Sequence, residues 1–343
     1  MRKNGISSTA TRRRYSATTS KLKQPAAAHG GRSYAAAGQI QSQKDKMQTV
    51  IANRDNFFYP NSCPVALRSI QGDASMQHEG DLTDIRHTHD FAELIIISQG
   101  SGKHWIDGNI YNVAAGDIFL LQGNTEHYFT ERCNLGMYNL MFDDVYFQEH
   151  LRSLRSLPGF NGFFLIEPAY RHRHKFRHRL HLEGEDLVAL TSKFRQLETE
   201  LKLQRPGFDL ILFARALEIF VLISRKYFEN PSAKSSSLCA LAELVTVLEN
   251  SYDEDWSIAR LCKISSMSPS SLIPAFKEIT GSSPIEYLLH VRMNKAAEKL
   301  LSGKETVSEI AAACGFADSN YFSRQFRKHY HCSPLQYRAR KLN

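Results

Sequence analysis

The apolar residues of this chain change period part-way along it. Between residues 50 and 145 they fall in short runs separated by turn residues. Leu94-Ile95-Ile96-Ile97 is closed by Gly100-Ser101-Gly102, His104-Trp105-Ile106 runs into Asp107-Gly108, Ile110 to Val113 returns, and Gly116-Asp117 turns into Ile118-Phe119-Leu120-Leu121. Runs of this length, with turns at this spacing, predict short strands in a sandwich or barrel, and Asp107-Gly108 predicts a tight hairpin. From residue 184 the period becomes helical. Leu187, Leu190, Phe194, Leu197 and Leu201 form one stripe over 184–203. A second helix over 207–228 is apolar around most of its circumference, with Leu212, Phe213, Leu217, Phe220, Val221 and Ile223. Such faces need cover, either from the barrel or from a second subunit.

The last part of the chain repeats itself. Phe276 and Phe326, Pro284 and Pro334, and Tyr287 and Tyr337 are each 50 positions apart, and a fixed period marks a repeated structural unit. Each copy carries the signals of two short helices joined by a turn. In the second, Thr306 and Glu309 form a capping box, Ile310, Ala311 and Ala313 make a compact inner face, Gly315-Phe316 turns, and Asp318 caps a helix from Ser319 to His329. In the first, Ile258, Leu261 and Cys262 precede a turn at 264–267 and a helix from Pro269. Ser283 and Glu286 then open one long helix, reaching Leu301, that joins the copies. Two helix-turn-helix units on a rigid spacer are the expectation.

The run Gly315-Phe316-Ala317-Asp318-Ser319-Asn320-Tyr321-Phe322-Ser323-Arg324-Gln325-Phe326, followed by Ser333-Pro334-Leu335-Gln336-Tyr337, resembles the AraC/XylS family of bacterial transcription regulators. The resemblance implies promoter DNA as a partner. With Phe322 and Phe326 turned into the core, Ser319, Asn320, Ser323, Arg324 and Arg327 face the other way. Arg324 suits a bidentate contact to guanine and Asn320 one to adenine, while Ser319, Arg327 and Lys328 suit phosphates. From Ser257 onward thirteen Lys and Arg face six Asp and Glu, a local excess that fits a phosphate partner. The first copy departs from the family with Ile273-Pro274, and a proline here is expected to bend or break the helix. That leaves Ser270, Ser271 and Lys277 for phosphates and Ile273 for a thymine methyl, with base reading concentrated in the second copy.

Composition adds a third region. The net charge of +8 comes from residues 1–46, where ten Lys and Arg face one acid, so the remainder sums to −1. This stretch, poor in large apolar residues, is expected to be disordered: a solvated tail, a basic arm for nucleic acid, or an extension before a true start at Met47. Cys63, Cys133, Cys239, Cys262, Cys314 and Cys332 lack CxxC spacing and read as reduced packing residues. No run of eighteen apolar residues and no signal-peptide core occurs, so a cytoplasmic protein without a membrane partner is expected. The tract Arg171 to His178 reads as a solvated loop or strand, since its histidines have no coordination spacing.

His87-Thr88-His89-Asp90-Phe91-Ala92-Glu93-Leu94, Gly100-Ser101-Gly102, Asp107-Gly108 and Gly116-Asp117-Ile118-Phe119 resemble the cupin sensor domain of sugar-responsive AraC-type regulators, most closely those answering rhamnose. The implied fold class is α+β. A disordered tail (1–46) precedes a cupin-like β-barrel (47–180), a helical dimerisation segment (181–229), a linker (230–237) and an all-α domain of two helix-turn-helix modules (238–343). Three readings stand for His87, His89, Glu93 and His127. They match the order of a metal-binding cupin's ligands, with Leu121 in place of the usual proline. Alternatively they hydrogen-bond sugar hydroxyls while Trp105 or Tyr111 stacks on the sugar, or they are satisfied within the fold. No cofactor is implied outright. The resulting expectation is a homodimeric regulator controlled by a small molecule, meeting RNA polymerase if it activates. The rival is a metal-dependent cupin enzyme fused to a DNA-binding domain.

Overall fold

The structure, a computed structural model, describes residues 49–54, 57–58, 64–72, 82–144, 146–147, 152–168, 180–230, 237–303 and 305–339. The expectations for the basic tail, Cys63, the Arg171–His178 tract and most of the linker (231–236) lie outside the described residues.

Eight strands form one sheet built around two long neighbours, β4 (Ala92–Ile106) and β7 (His127–Phe142). The outer edge of β7 pairs with β3 (His87–His89) at one end and β2 (Val65–Ile70) at the other, and β1 (Val50–Ala52) runs parallel to β3. The far edge of β4 takes β5 (Asn109–Ala114) and β6 (Asp117–Leu121), and β8 (Leu180–His181) adds to β6. The Gly100-Ser101-Gly102 segment does not end a strand, as the sequence led one to expect. It bends one. β4 runs through it with register shifts against β7 between Ile97 and Lys103. Gly100 has φ 70°, and a Cβ there would sit 2.1 Å from the Asn134 carbonyl oxygen, so only glycine allows the close crossing. The expected hairpin forms at Asp107 and Gly108, with φ of 44° and 81°, both positive as a type I′ turn requires.

Alternation along β4 sends Ile95 and Ile97 to one face with Phe119, Leu121 and Phe129, and Leu94 and Ile96 to the other. That second face is covered by α1 (Gly184–Leu203) and α2 (Phe208–Glu229). Tyr138 stacks on Phe194 and Phe142 meets Phe220, so the apolar stripes of both helices are largely spent on the sheet. Val188, Leu203, Leu210 and Ile211 of these helices remain exposed. Between β7 and β8 the chain makes a 3-10 turn (Arg152–Ser156), a single α-turn (Pro158–Phe160) and a π-helical stretch (Asn161–Ile166). No period in the sequence marks this segment. It lies tight against α2: a Cβ on Gly159 would fall 1.8 Å from the Ser224 carbonyl oxygen.

The C-terminal helices are α3 (Ser237–Asn250), α4 (Ile258–Ser265), α5 (Pro269–Thr280), α6 (Pro284–Ser302), α7 (Val307–Ala313), α8 (Ser319–Tyr330) and α9 (Pro334–Ala339). The repeat is geometric as well as sequential. Phe276 meets Tyr287 edge-on at 5.6 Å, and Phe326 meets Tyr337 edge-on at 5.4 Å. Both expected capping boxes, Ser283 with Glu286 and Thr306 with Glu309, are present, and Asp318 caps α8 by accepting from the Asn320 backbone N–H. His331 ends α8 with φ 56°, standing where Gly281 ends α5 with φ 79°. Two details differ from expectation. Ala313 is exposed, and Cys314 takes its inward place one residue on, as a helical turn from Ile310 requires. Pro274 does not break α5. It stands on the exposed side, and the carbonyl it leaves unmatched, that of Ser270, is at an exposed residue in the first turns, where water can serve it.

Candidate effector pocket and nucleic-acid interface

Inside the sheet, a small pocket is lined by an apolar wall that includes Phe57, Leu82, Phe91, Ile95, Phe129, Met137 and Met141. Its polar groups are Arg68, Thr83, His87, Glu93, His127 and Asn139. β3, β4 and β7 deliver His87, Glu93 and His127: His87 pairs directly with His127 where β3 meets β7, and Glu93 lies opposite Met141 where β4 meets the other edge of β7. His89, two residues from His87, shares its face, as the strand period dictates. His89 Nε2 lies 3.5 Å and His127 Nε2 3.2 Å from Glu93 Oε2. Each group is also held from behind. His87 Nδ1 meets the Ile85 carbonyl and His89 Nδ1 the Phe91 carbonyl, both at 2.7 Å, and Asn139 Nδ2 donates to Glu93 Oε1. His127 Nδ1 shares a hydrogen bond of 3.3 Å with His104 Nε2.

Burial and charge set the protonation of this cluster. Burial, with His127 adding repulsion, pushes His87 down to about 4. Burial also lowers His127, outweighing the attraction of Glu93. At Glu93 burial raises the pKa, but His127 and His89 more than offset it and hold the carboxyl well below its usual range. At His89 burial acts downward, yet contact with the Glu93 carboxylate leaves the ring above the ordinary imidazole value. The cluster thus holds one carboxylate, one imidazole that favours a proton and two that favour neutrality.

Trp105 is not part of this pocket. His104 and Ile106 are the inward residues of that strand, so Trp105 is turned to the opposite side, tilted against Tyr128 at 5.2 Å with the Arg86 guanidinium over its ring at 4.5 Å. Tyr111 does not line it either. The pocket instead includes residues that sequence reading missed. Asn139 and Arg68 approach from β7 and β2, while His104, behind the lining, fully buried and stacked on Phe129 at 4.0 Å, supports His127. Strand alternation offered the signal for His104, since it is two residues from Ile106. Nothing local marked Arg68 or Asn139.

The second module presents one polar face. Phe322 and Phe326 are fully buried, and Asn320, Ser323, Arg324 and Arg327 line a concave surface of α8 together with Ser333, Pro334 and Leu335 of α9 and Val307 of α7. Ser319 is half-buried at the start of the same helix. Among the described residues the guanidinium groups of Arg324 and Arg327 make no hydrogen bond or ion pair with the protein. In the first module Ser270, Ser271 and Lys277 are exposed and Ile273 is half-buried. The Ser270 and Ser271 hydroxyls lie 2.9 and 3.0 Å from that of Ser268, the cap of α5, so they are partly engaged before any partner arrives.

Residues 75–220 match the family of AraC-like ligand binding domains, and residues 261–340 match a helix-turn-helix domain family. The HTH-type transcriptional activator RhaR of Mannheimia succiniciproducens is 30% identical over 254 residues, covering 74% of this chain and 87% of the relative. The chain belongs to the AraC family of transcription regulators. RhaR of Escherichia coli K12 is 27% identical over 253 residues, covering 74% of this chain and 86% of that protein. The crystal structure of the DNA-binding domain of AdpA with a target DNA aligns at 30% identity and TM-score 0.29, covering 29% of this chain and 90% of that one. As an AraC-family regulator the protein binds DNA through its helix-turn-helix modules and carries a ligand-binding domain for a small-molecule effector, and it is not an enzyme. Among the described residues no helix is long and apolar enough to cross a membrane.

Proposed function

We propose that this AraC-family chain is a cytoplasmic, sugar-responsive activator that works as a homodimer. The observation that carries the sugar reading is the composition of the pocket. Hydrogen-bonding groups of His87, Glu93, His127 and Asn139 stand opposite aromatic and aliphatic residues, the pairing of polar edge and apolar face that a sugar ring presents. His89, turned against Glu93, is a supporting member. The matched activators named RhaR favour activation, and with it RNA polymerase as a partner. The exposed Val188, Leu203, Leu210 and Ile211 on α1 and α2 favour a second copy as their cover. Base reading falls to Asn320 and Arg324, with Ser323 beside them, and phosphate contacts to Ser319, Arg327, Ser270, Ser271 and Lys277, with Ile273 against a thymine methyl.

A physical route for response also supports this reading. The Asn124 N–H donates to the His89 carbonyl at 2.9 Å, and Gln122 Nε2 donates to the Phe164 carbonyl of the π-helical stretch at 3.3 Å. That stretch reaches the DNA-binding helices, for Ile166 is buried with Leu241, Leu244 and Val245 of α3. An effector shifts DNA affinity only if it binds the two arrangements of this connection differently. The test is binding of the full chain to DNA from its own upstream region, at fixed salt, with and without a panel of sugars. A sugar that changes affinity for that DNA and not for random DNA is the expected result. Specific DNA binding that no sugar alters would sink the sugar assignment.

A further inference from the structure

One cation in the pocket has no counter-charge. Arg68 is the only Lys or Arg among the described residues of its wall, and it is half-buried there. Its Nη1 donates to the Leu67 carbonyl at 3.1 Å and its guanidinium lies over the Phe57 ring, 5.8 Å from the centroid; among the described residues it forms no ion pair. The carboxylate of the same wall does not serve it, because Glu93 is already engaged by His89, His127 and Asn139. A guanidinium held against apolar walls loses hydration, and an anion that it grips with two parallel N–H bonds restores what was lost. Asn139, the direct cross-strand partner of Arg68, supplies a second observation. Its Nδ2 faces Glu93, since a carboxylate can only accept, and this leaves Oδ1 as a buried carbonyl oxygen without a hydrogen-bond partner. Buried polar atoms are almost always paired, so a donor is wanted beside the anion.

We infer that the effector is an acidic sugar, an aldonate or a uronate, whose carboxylate pairs with Arg68 and whose neighbouring hydroxyl donates to Asn139 Oδ1. The inference rests on the sugar reading of the pocket and narrows it. The two ends of the site differ in sign. Around Glu93 a ligand's hydroxyls find an acceptor and a second carboxylate is repelled, so the acid end is directed to Arg68 and the sugar is held in one orientation. A neutral sugar satisfies Asn139 but leaves Arg68 without its anion.

The test is calorimetric titration of the full chain with an aldonate, a uronate, the methyl ester of that uronate, the corresponding neutral hexose and a short 2-hydroxy acid. The sugar acids are expected to bind roughly tenfold tighter than the ester and the neutral hexose, the ratio that a charge-assisted pair supplies. Arg68→Gln should remove that preference by weakening the acids while leaving the neutral hexose little changed, and Arg68→Lys, which keeps the charge, should restore part of it. Should the variants fail to fold, the uronate and its ester on the wild-type protein decide the matter, because they differ only by one methyl group and the charge. Equal affinity for acid and ester, or tight binding of the acid that Arg68→Gln leaves intact, would overturn the acidic effector and leave the sugar reading standing. Binding of the short hydroxy acid through Arg68, with no sugar bound, would keep the carboxylate on Arg68 and defeat the sugar. No binding of any of them would defeat both.

Discussion

Asn161 donates through Nδ2 to Thr246 Oγ1 at 2.8 Å, joining the π-helical stretch to α3, the first of the C-terminal helices. The same nitrogen donates to the Arg155 carbonyl at 2.7 Å, and Arg155 reaches Glu249 and the Tyr287 hydroxyl of α6. Asn161 is fully buried, so these bonds form in low dielectric, where leaving a partner unmatched is costly. Asn161→Ala is expected to lower stability by about 1–3 kcal/mol in chemical denaturation. It should also reduce the effector's influence on DNA affinity more than the affinity itself. Unchanged effector response in a folded variant would show that the connection carries no signal.

Arg324→Ala is expected to weaken binding to the cognate site by about 1–3 kcal/mol and binding to random DNA much less, as loss of a base contact does. Titration of both DNAs at one salt concentration decides it. An equal loss on every sequence would reassign Arg324 to the phosphates.

Arg327→Ala and Lys277→Ala should behave in the opposite way. Each is expected to weaken all sequences alike and to reduce the slope of log affinity against log salt by about one. A salt series on cognate DNA reads this directly. If Lys277→Ala leaves the slope untouched, the first module does not touch the backbone at that point.

Pro274→Ala restores a backbone N–H within reach of the Ser270 carbonyl, on a helix that already runs through this position. Alanine exceeds proline by about 3 kcal/mol in helix interiors, so a stability gain of up to that size is expected, read as a raised melting temperature. Pro274→Arg tests function at the same place. It should raise DNA affinity if α5 enters a groove, and unchanged affinity would place that helix outside one.

Gly315→Ala is expected to destabilise the second module. The residue has φ 77°, and a Cβ would lie 2.6 Å from the Asp253 carbonyl oxygen and 2.8 Å from Arg292 Nη2. The backbone term alone costs roughly 1–2 kcal/mol, with the clash added. Thermal melting and DNA binding should fall together. A variant as stable as the parent would mean that the turn relaxes around the new methyl.

Elements whose physics is local were legible in the sequence. The two modules, their capping boxes and the Asp107-Gly108 turn depend on residues within a few positions of one another, and their periods and caps can be read along the chain. The polar face of α8 followed from where Phe322 and Phe326 had to go. What the tertiary structure decided are meetings between distant segments. Strand register turned His104 inward and Trp105 away, and β2 and β7 brought Arg68 and Asn139 into the pocket that His87 and Glu93 reach from β3 and β4. The bend at Gly100 kept β4 whole because Asn134 lies beneath it, and solvent at Pro274 let a helix survive a residue that should break it. The segment from Arg152 to Ile166 has no amphipathic period, for it is held on both sides by partners far away in sequence: α2 through Gly159, and α3 through Asn161 and Ile166. A sequence carries its own periods and caps. It does not carry the long-range packing that chooses which faces meet.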